Sequence, residues 1–352
     1  MAAETLTERR LSRALLARQL LLERAHASVV EALERVGGLQ TQYAPSGYVG
    51  LWTRLAGFQR ADLTQALERR LAIQATLMRM TIHMVSAADF WPMALAVRNS
   101  RREWFARVNR QQIGRLDMSA IADTARRELS GGPLKLAELS RRLAARGVPE
   151  APIGWIGLWL DLVRVPPSGT WESRRADVYG LADEWLPQPK RPPSVEDATD
   201  HVVRAYLAGF GPAHPADIAT FAGLPATTVQ SSTERLDVVV FRDEQGKKLV
   251  DLRDAPRPPE DTNAPVRFLP TWDATLLVHA RRTQILPEEY RPLVFSTRTP
   301  HSIGTILVDG QVAGSWRLVD GAVVTRAFGK WPRAAQREIA DEAERLAAFH
   351  GP

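Results

Sequence analysis

The chain has 352 residues, 45% hydrophobic and 24% charged, with a formal net charge of +6. That composition fits a soluble globular protein of roughly two to four modules, and the positive balance favours an anionic partner such as nucleic acid. The absence of cysteine excludes disulfides, thiolate catalysis, iron–sulfur clusters and cysteine zinc sites.

In chain order, the first segment is expected to cover residues 1–112. An amphipathic helix is predicted over 6–19 and another over 28–36, where Ser28 and Glu31 stand at capping-box spacing. Gly37 and Gly38 end the second helix, and Pro45-Ser46 lead towards a third over 48–56. A fourth is predicted over 61–70, with Leu63 and Leu67 at helical spacing. Residues 76–85 read as strand, completing the helices-then-hairpin order of a winged helix, and 87–112 as a long connecting helix. The second segment, 113–193, reads as helices over 118–129, 134–145 and 153–163, then a turn at Pro166-Pro167-Ser168-Gly169. A wing over 170–179 and a Pro-rich linker over 187–193 follow.

The third segment, 194–259, is the clearest helix-turn-helix, with helices over 195–207, 214–222 and 226–236. Wing strands over 238–241 and 248–252 flank Asp243-Glu244-Gln245-Gly246, and 256–259 is a second linker. The last region, 260–352, turns β-rich, with strands over 266–269, 275–279, 304–308, 311–318 and 322–327. Asp309-Gly310 and Asp320-Gly321 are two-residue hairpin signals, and a final helix spans 332–349. The fold class expected is mainly α with small β elements: three tandem winged-helix modules plus a C-terminal β-rich region closed by a helix.

The stretch Gly37-Gly38-Leu39-Gln40-Thr41-Gln42-Tyr43-Ala44-Pro45-Ser46 is the most informative. Residues at i and i+2 share a side in extended backbone, so Gln40 and Gln42 can aim at one point from a corner between helices. Two neutral amides there can hold and orient a water without adding charge. The plainer reading is a pair of polar loop residues capping neighbouring helix ends.

The string Gly38-Leu39-Gln40-Thr41-Gln42-Tyr43, followed by Tyr48-Val49-Gly50-Leu51-Trp52-Thr53-Arg54-Leu55, resembles the AlkZ/YcaQ winged-helix DNA glycosylases. The resemblance continues through Leu77-Met78-Arg79-Met80-Thr81-Ile82-His83-Met84-Val85-Ser86. It recurs in Phe268-Leu269-Pro270-Thr271-Trp272-Asp273 and in Val308-Asp309-Gly310-Gln311-Val312-Ala313-Gly314-Ser315-Trp316. With Gln-x-Gln at the corner the chain resembles the AlkZ-like branch rather than the Gln-x-Asp branch. The resemblance implies a monofunctional glycosylase that removes bulky N7-alkylated purines, including antibiotic-type adducts or crosslinks, in repair or self-resistance. Gln40 and Gln42 would be catalytic. Tyr43, Arg79, His83, Trp272, Asp273, Arg281 and Arg282 would meet DNA, with His83 alternatively orienting the corner. Trp272 departs from the commonest family spelling.

The implied partner is double-stranded DNA carrying alkylated purines, bound by a monomer with no cofactor, no metal and no obligatory protein partner. No zinc-type His spacing, Walker A loop or Gly-x-Ser-x-Gly elbow occurs, and none of the five Lys suggests a Schiff-base lyase. Glu4, Glu8, Arg9 and Arg10 interrupt any apolar leader and no apolar stretch is long enough for a bilayer, so a cytoplasmic protein without a membrane partner is expected. Arg98, Arg101, Arg102, Arg107 and Arg110 read either as a DNA-tracking run or as a solvated helix face, and Trp155 with Trp159 as a core pair. The alternatives are a non-catalytic winged-helix regulator, which would bind DNA without releasing base, and an antibiotic-sequestering protein, which would bind free drug.

Overall fold

The computed structural model describes residues 3–113, 116–148, 153–280, 282–295 and 302–351. Helix Val29–Val36 starts in the expected capping box, with Ser28 Oγ accepting from Glu31 N and the Glu31 carboxylate accepting from Ser28 N. It ends at Gly37 and Gly38, whose φ values are 73° and 82°. A Cβ on Gly38 would also lie 2.9 Å from Val85 Cγ1, so both backbone angle and space call for glycine there. The chain then forms the short strand Leu39–Gln40, and helices Ala44–Trp52 and Arg60–Glu68 follow.

The run 76–85, expected as one strand, is split. Strands Ala72–Thr76 and Ile82–Ser86 pair antiparallel around a tight turn, Met78–Met80, in which Arg79 and Met80 take left-handed φ of 50° and 60°. Apolar and polar residues alternate through the turn as in a strand. Only pairing with the distant partner shows where each strand stops.

One six-stranded antiparallel sheet runs in the order Leu39–Gln40, Ile82–Ser86, Ala72–Thr76, Leu162–Arg164, Val178–Leu181, Leu134–Lys135. It passes straight across the boundary expected near residue 113, through Gln74 opposite Arg164 and Ala75 opposite Val163. The helix expected over 153–163 shrinks to Ile153–Ile156, because the chain turns after it and enters the sheet at Leu162.

The third segment follows the expected order: helices Val195–Phe210, Pro215–Ala222 and Ala226–Arg235, then the antiparallel strands Val238–Asp243 and Lys248–Leu252. Strand Thr5–Leu6 adds to this hairpin in parallel, so the start of the chain completes a sheet belonging to its middle. The last region is a four-stranded antiparallel sheet, Arg267–Leu269, Gly304–Val308, Gln311–Val319 and Ala322–Ala327, with helix Arg333–His350 after it. Both hairpin turns form where Asp-Gly predicts them, with left-handed φ at Asp309, Gly310, Asp320 and Gly321. The run 275–279 is not a strand. It opens as the 3-10 turn Ala274–Leu276, capped by Asp273 Oδ1 accepting from Thr275 N.

Helix Val195–Phe210 sits in the largest core. Its Val202, Val203, Tyr206 and Phe210 pack with Phe90 and Val97 of helix Ala87–Val108 and with Phe221. A second core joins Leu33, Val36, Tyr48 and Leu51 to Phe268, Ile306 and Leu346.

Buried polar groups tie these bodies together. The Arg54 guanidinium is fully buried and donates two 2.9 Å bonds to the Asp273 carboxylate, one to Gly50 O and one to Gln19 Oε1. Gln19 Nε2 in turn donates to Val36 O at 3.1 Å and Gly209 O at 2.8 Å. Removing one member of a buried ion pair strands the other charge, which costs about 3–5 kcal/mol. Asp273→Asn should therefore lower unfolding stability by about that much at neutral pH, seen as a fall in the urea midpoint. A loss below about 1 kcal/mol would mean that Arg54 finds compensation elsewhere.

Candidate active site

Gln40 ends the edge strand of the six-stranded sheet, directly opposite His83. It is buried, and its Oε1 accepts from Arg79 Nη2 at 2.5 Å. One residue on, Thr41 N donates to Ile82 O at 2.8 Å and the backbone then leaves the ladder. Gln42 is exposed and bends back, so that its Oε1 accepts from Ile82 N at 2.6 Å. The side chain thus takes the place of a missing strand partner. The Gln42 carboxamide ends on strand Ile82–Ser86, whereas the Gln40 carboxamide ends on the Arg79 side chain of the preceding turn. An amide oxygen has two lone pairs, so each retains acceptor capacity beyond the bond described.

Arg79 does not stand on a regular strand beside His83, as expected; it projects from the left-handed turn. Its guanidinium lies 4.9 Å from the Phe221 ring centroid. Desolvation lowers its pKa to about 10, with Arg282 pushing the same way and Tyr206 opposing, and the group stays charged at neutral pH. Its Nη1 is buried with no hydrogen-bond partner.

His83 was expected to meet phosphate or to orient the corner. It is completely enclosed, so contact with phosphate does not fit. Burial, with the nearby Arg79 charge, pushes its pKa down to about 3, against the weaker pull of the Thr81 carbonyl. Nδ1 donates to Thr81 O at 3.1 Å, and the ring meets Phe221 edge-on at 6.2 Å. It is a neutral packing group behind Gln40.

The other expected DNA contacts divide. Tyr43 is 45% exposed, and its hydroxyl accepts from Arg174 Nη1 at 2.9 Å. It borders a cleft of about 320 Å³ lined also by Pro45, Arg174, Thr271, Trp316 and His350. Arg282 is half-buried, with its guanidinium 5.3 Å from the Phe295 ring, and its charge reaches Arg79. Arg281 lies outside the described residues. Trp272 has a left-handed φ of 65° and its N–H donates to Ser302 Oγ at 2.5 Å. Asp273 needs correcting: its carboxylate is sealed against Arg54 and Thr275, leaving no face for DNA. Burial alone would raise its pKa, but Arg54 and Thr275 outweigh that and hold it below the usual carboxylate range. Trp155 and Trp159 pack on Phe105, with ring centroids 4.4 and 5.9 Å away, as the core reading predicts.

Sequence reasoning missed the wall behind the corner. Tyr206, fully buried, donates to Val278 O at 3.1 Å and lies 3.3 Å from His279 Nδ1; Asp217 accepts from Ala280 N at 2.9 Å. These residues come from distant stretches, and no local motif joins them. Among the described residues, no group of three His, Asp or Glu is placed to hold a metal ion, and no helix is long and apolar enough to cross a membrane.

The profile of the family described as "DNA glycosylase AlkZ-like" matches residues 33–349. The chain belongs to this family of DNA glycosylases. The enzyme is similar to the "Interstrand DNA cross-link repair glycosylase" of Streptomyces sahachiroi, with 23% identity over 95% of this chain and 94% of that protein. Its fold is similar to the solved structure of the Streptomyces sahachiroi DNA glycosylase AlkZ, with a TM-score of 0.83 and 19% identity over 98% of this chain and 97% of the other. The glycosylase therefore hydrolyses N-glycosyl bonds, and the regulator alternative finds no support.

The depressed pKa of His83 has a stability consequence. In the unfolded chain its imidazole takes a proton below about pH 6.5; in the fold it resists until about pH 3. Its contribution is therefore intact above pH 6.5 and is lost as pH falls through that window, by up to about 1.4 kcal/mol per pH unit. His83→Asn should flatten the decline of Tm between pH 6.5 and 4. A decline as steep as wild type would place the acid sensitivity elsewhere, for example at His350, which burial also lowers, to about 4.

Proposed function

We propose that this glycosylase excises cationic N7-alkylpurine adducts from double-stranded DNA, with Gln40 and Gln42 as its catalytic residues. The observation carrying the proposal is that both carboxamide oxygens are held at one hairpin, Gln40 by the Arg79 guanidinium of its turn and Gln42 by Ile82 N of the strand that follows. No strong acid or base is on that constellation, since His83 is neutral and enclosed and Arg79 stays charged.

An N7-alkylated guanine already carries positive charge and leaves as a neutral base. Its departure needs no general acid. What the reaction needs is a water held over the anomeric carbon and support for the oxocarbenium character of the sugar. The two amides are not equivalent in this task. The Gln40 oxygen faces a guanidinium, which draws on its electron density, so Gln40 suits orienting the water. The Gln42 oxygen accepts only from a neutral backbone N–H and is exposed, so it suits facing the sugar cation.

A glutamine is too weak a base to activate water against an unmodified nucleoside, which makes the site selective for bases ready to leave. The cleft beside Tyr43, lined by aromatic and apolar surface, gives room for a bulky substituent next to the corner. Whether the biological role is general repair or self-resistance, the bond broken is the same.

The test is base release from a duplex containing a single 7-methylguanine, read as alkali-cleaved strand. Wild type should release the base and leave an undamaged duplex intact. Gln40→Ala and Gln42→Ala should each slow single-turnover release on the order of 10²-fold, in line with the loss of one positioning or electrostatic group. Full rates in both variants would remove the catalytic assignment. Binding without release in wild type would remove the substrate assignment.

A further inference from the structure

Three buried arginines have carboxylate partners: Arg13 with Asp309, Arg18 with Asp251 and Arg54 with Asp273. Like the buried Arg164 and Arg267, Arg79 and Arg101 differ. Arg101, of helix Ala87–Val108, is buried and donates Nη1 to Thr76 O at 2.9 Å and Nε to Met80 Sδ at 3.2 Å. Neither forms an ion pair with a described residue. Asp161, the carboxylate whose field reaches Arg101, is itself held by Arg98 at 2.6 Å. Arg164, buried and also without a carboxylate, donates to Thr76 Oγ1 at 3.1 Å and adds positive charge at the same strand end. Desolvation lowers Arg101, like Arg79, to about 10, so both remain cationic at neutral pH.

Arg79 and Arg101 line one cleft of about 240 Å³, together with Met80, Ser100, Trp104 and Gly223. Trp104 is 46% exposed, unusual for so large an apolar ring. Gly223 has open space where a Cβ would stand. Two desolvated cations without an internal anion, next to an exposed flat ring, match the chemistry of a nucleotide: a phosphodiester for the guanidiniums and a base or sugar face for the indole.

The geometry points to this cleft as a DNA subsite, in which Arg79 and Arg101 clamp one backbone phosphodiester while Trp104 lies against the neighbouring nucleoside. The inference rests on the glycosylase reading, and it gives Arg79 a second task. The same guanidinium holds Gln40 Oε1. A phosphate on Arg79 would offset a positive charge that otherwise opposes the sugar cation nearby. Seating the backbone and preparing the corner then become one event.

Binding of a labelled undamaged duplex, followed by fluorescence anisotropy across a NaCl series, tests the subsite apart from catalysis. Arg101→Gln should make the slope of log K against log[salt] shallower by about one and weaken binding. Trp104→Ala should weaken binding by at least about fivefold with little change of slope, as expected for one lost stacking contact. Wild-type affinity and slope in both variants, with melting temperatures unchanged, would overturn the subsite. Should Arg101→Gln fail to fold, Trp104→Ala decides alone: its side chain is half exposed, and affinity within twofold of wild type overturns the proposal. The same preparations, assayed for 7-methylguanine release, separate the two readings. Base release by wild type with unaltered binding in the variants removes the subsite only. Altered binding with no release by wild type removes the excision mechanism only.

Discussion

Arg54 is the constraint on which the corner depends. It follows the helix that begins just after Gln42, and all its bonds run to other parts of the chain or to the end of that helix. Asp273 anchors it to the C-terminal region, while Gln19 links it to the first helix and, through Val36 O and Gly209 O, to two more. Such a group is costly to bury, and its bonds through Nη1 and Nη2 reach several elements at once, so their arrangement becomes close to all-or-none. The approach of Gly209 reinforces it: a Cβ there would fall 2.5 Å from Val36 O. The helix that ends at the corner is therefore pressed backbone to backbone against the first helix of the third segment. The glutamines inherit their position from that contact, and a loop alone would not hold them so.

The electrostatics of the corner follow from what surrounds it. On one side stand neutral or enclosed groups: His83 kept unprotonated, Tyr206 with its hydroxyl ionisation pushed well up by burial, and Phe221 between them. On the other stand Arg79 and, further out, Arg282. Two neutral amides sit at the junction. A carboxylate at Gln40 would pair with Arg79 and neutralise it, whereas an amide holds the guanidinium by one bond and leaves its charge available to an incoming anion. That difference gives a physical reason for an uncharged side chain at this position.

Much of this was legible in the sequence, where the signal was local. The capping box at Ser28 and Glu31, the glycine stop at Gly37-Gly38 and the two Asp-Gly hairpins all formed as the residues indicate. The bend after Gln40 was legible as well, but the strand stops at Gln40, so i, i+2 spacing alone does not bring the two side chains together. Failures came where distance in sequence mattered. The turn at Arg79 looked like strand because Met78, Met80 and Ile82 alternate with Arg79, Thr81 and His83, and only the pairing of Ala72–Thr76 with Ile82–Ser86 reveals the reversal. Asp273 looked like a DNA contact since its block carries family resemblance; its partner, Arg54, lies 219 positions away. The wall built by Asp217, Tyr206 and His279 has no spacing rule that could announce it.

The sheet shared by the first two segments bears on how the enzyme can move. If each segment were an independent body, DNA binding could be accommodated by hinges between them. Here Gln74 and Ala75 pair directly with Arg164 and Val163, and Gln74 Nε2 also donates to Gly169 O at 2.9 Å. The N-terminal strand is in turn part of the third segment's sheet, and Arg18 joins the first helix to Asp251 through a fully buried pair. A hinge at any of these seams would break ladder bonds or expose a buried charge, which raises its cost well above that of bending a linker. Adjustment to bound DNA would then fall on exposed side chains such as Tyr43, Trp104 and Gln42, carried on a scaffold whose seams resist bending.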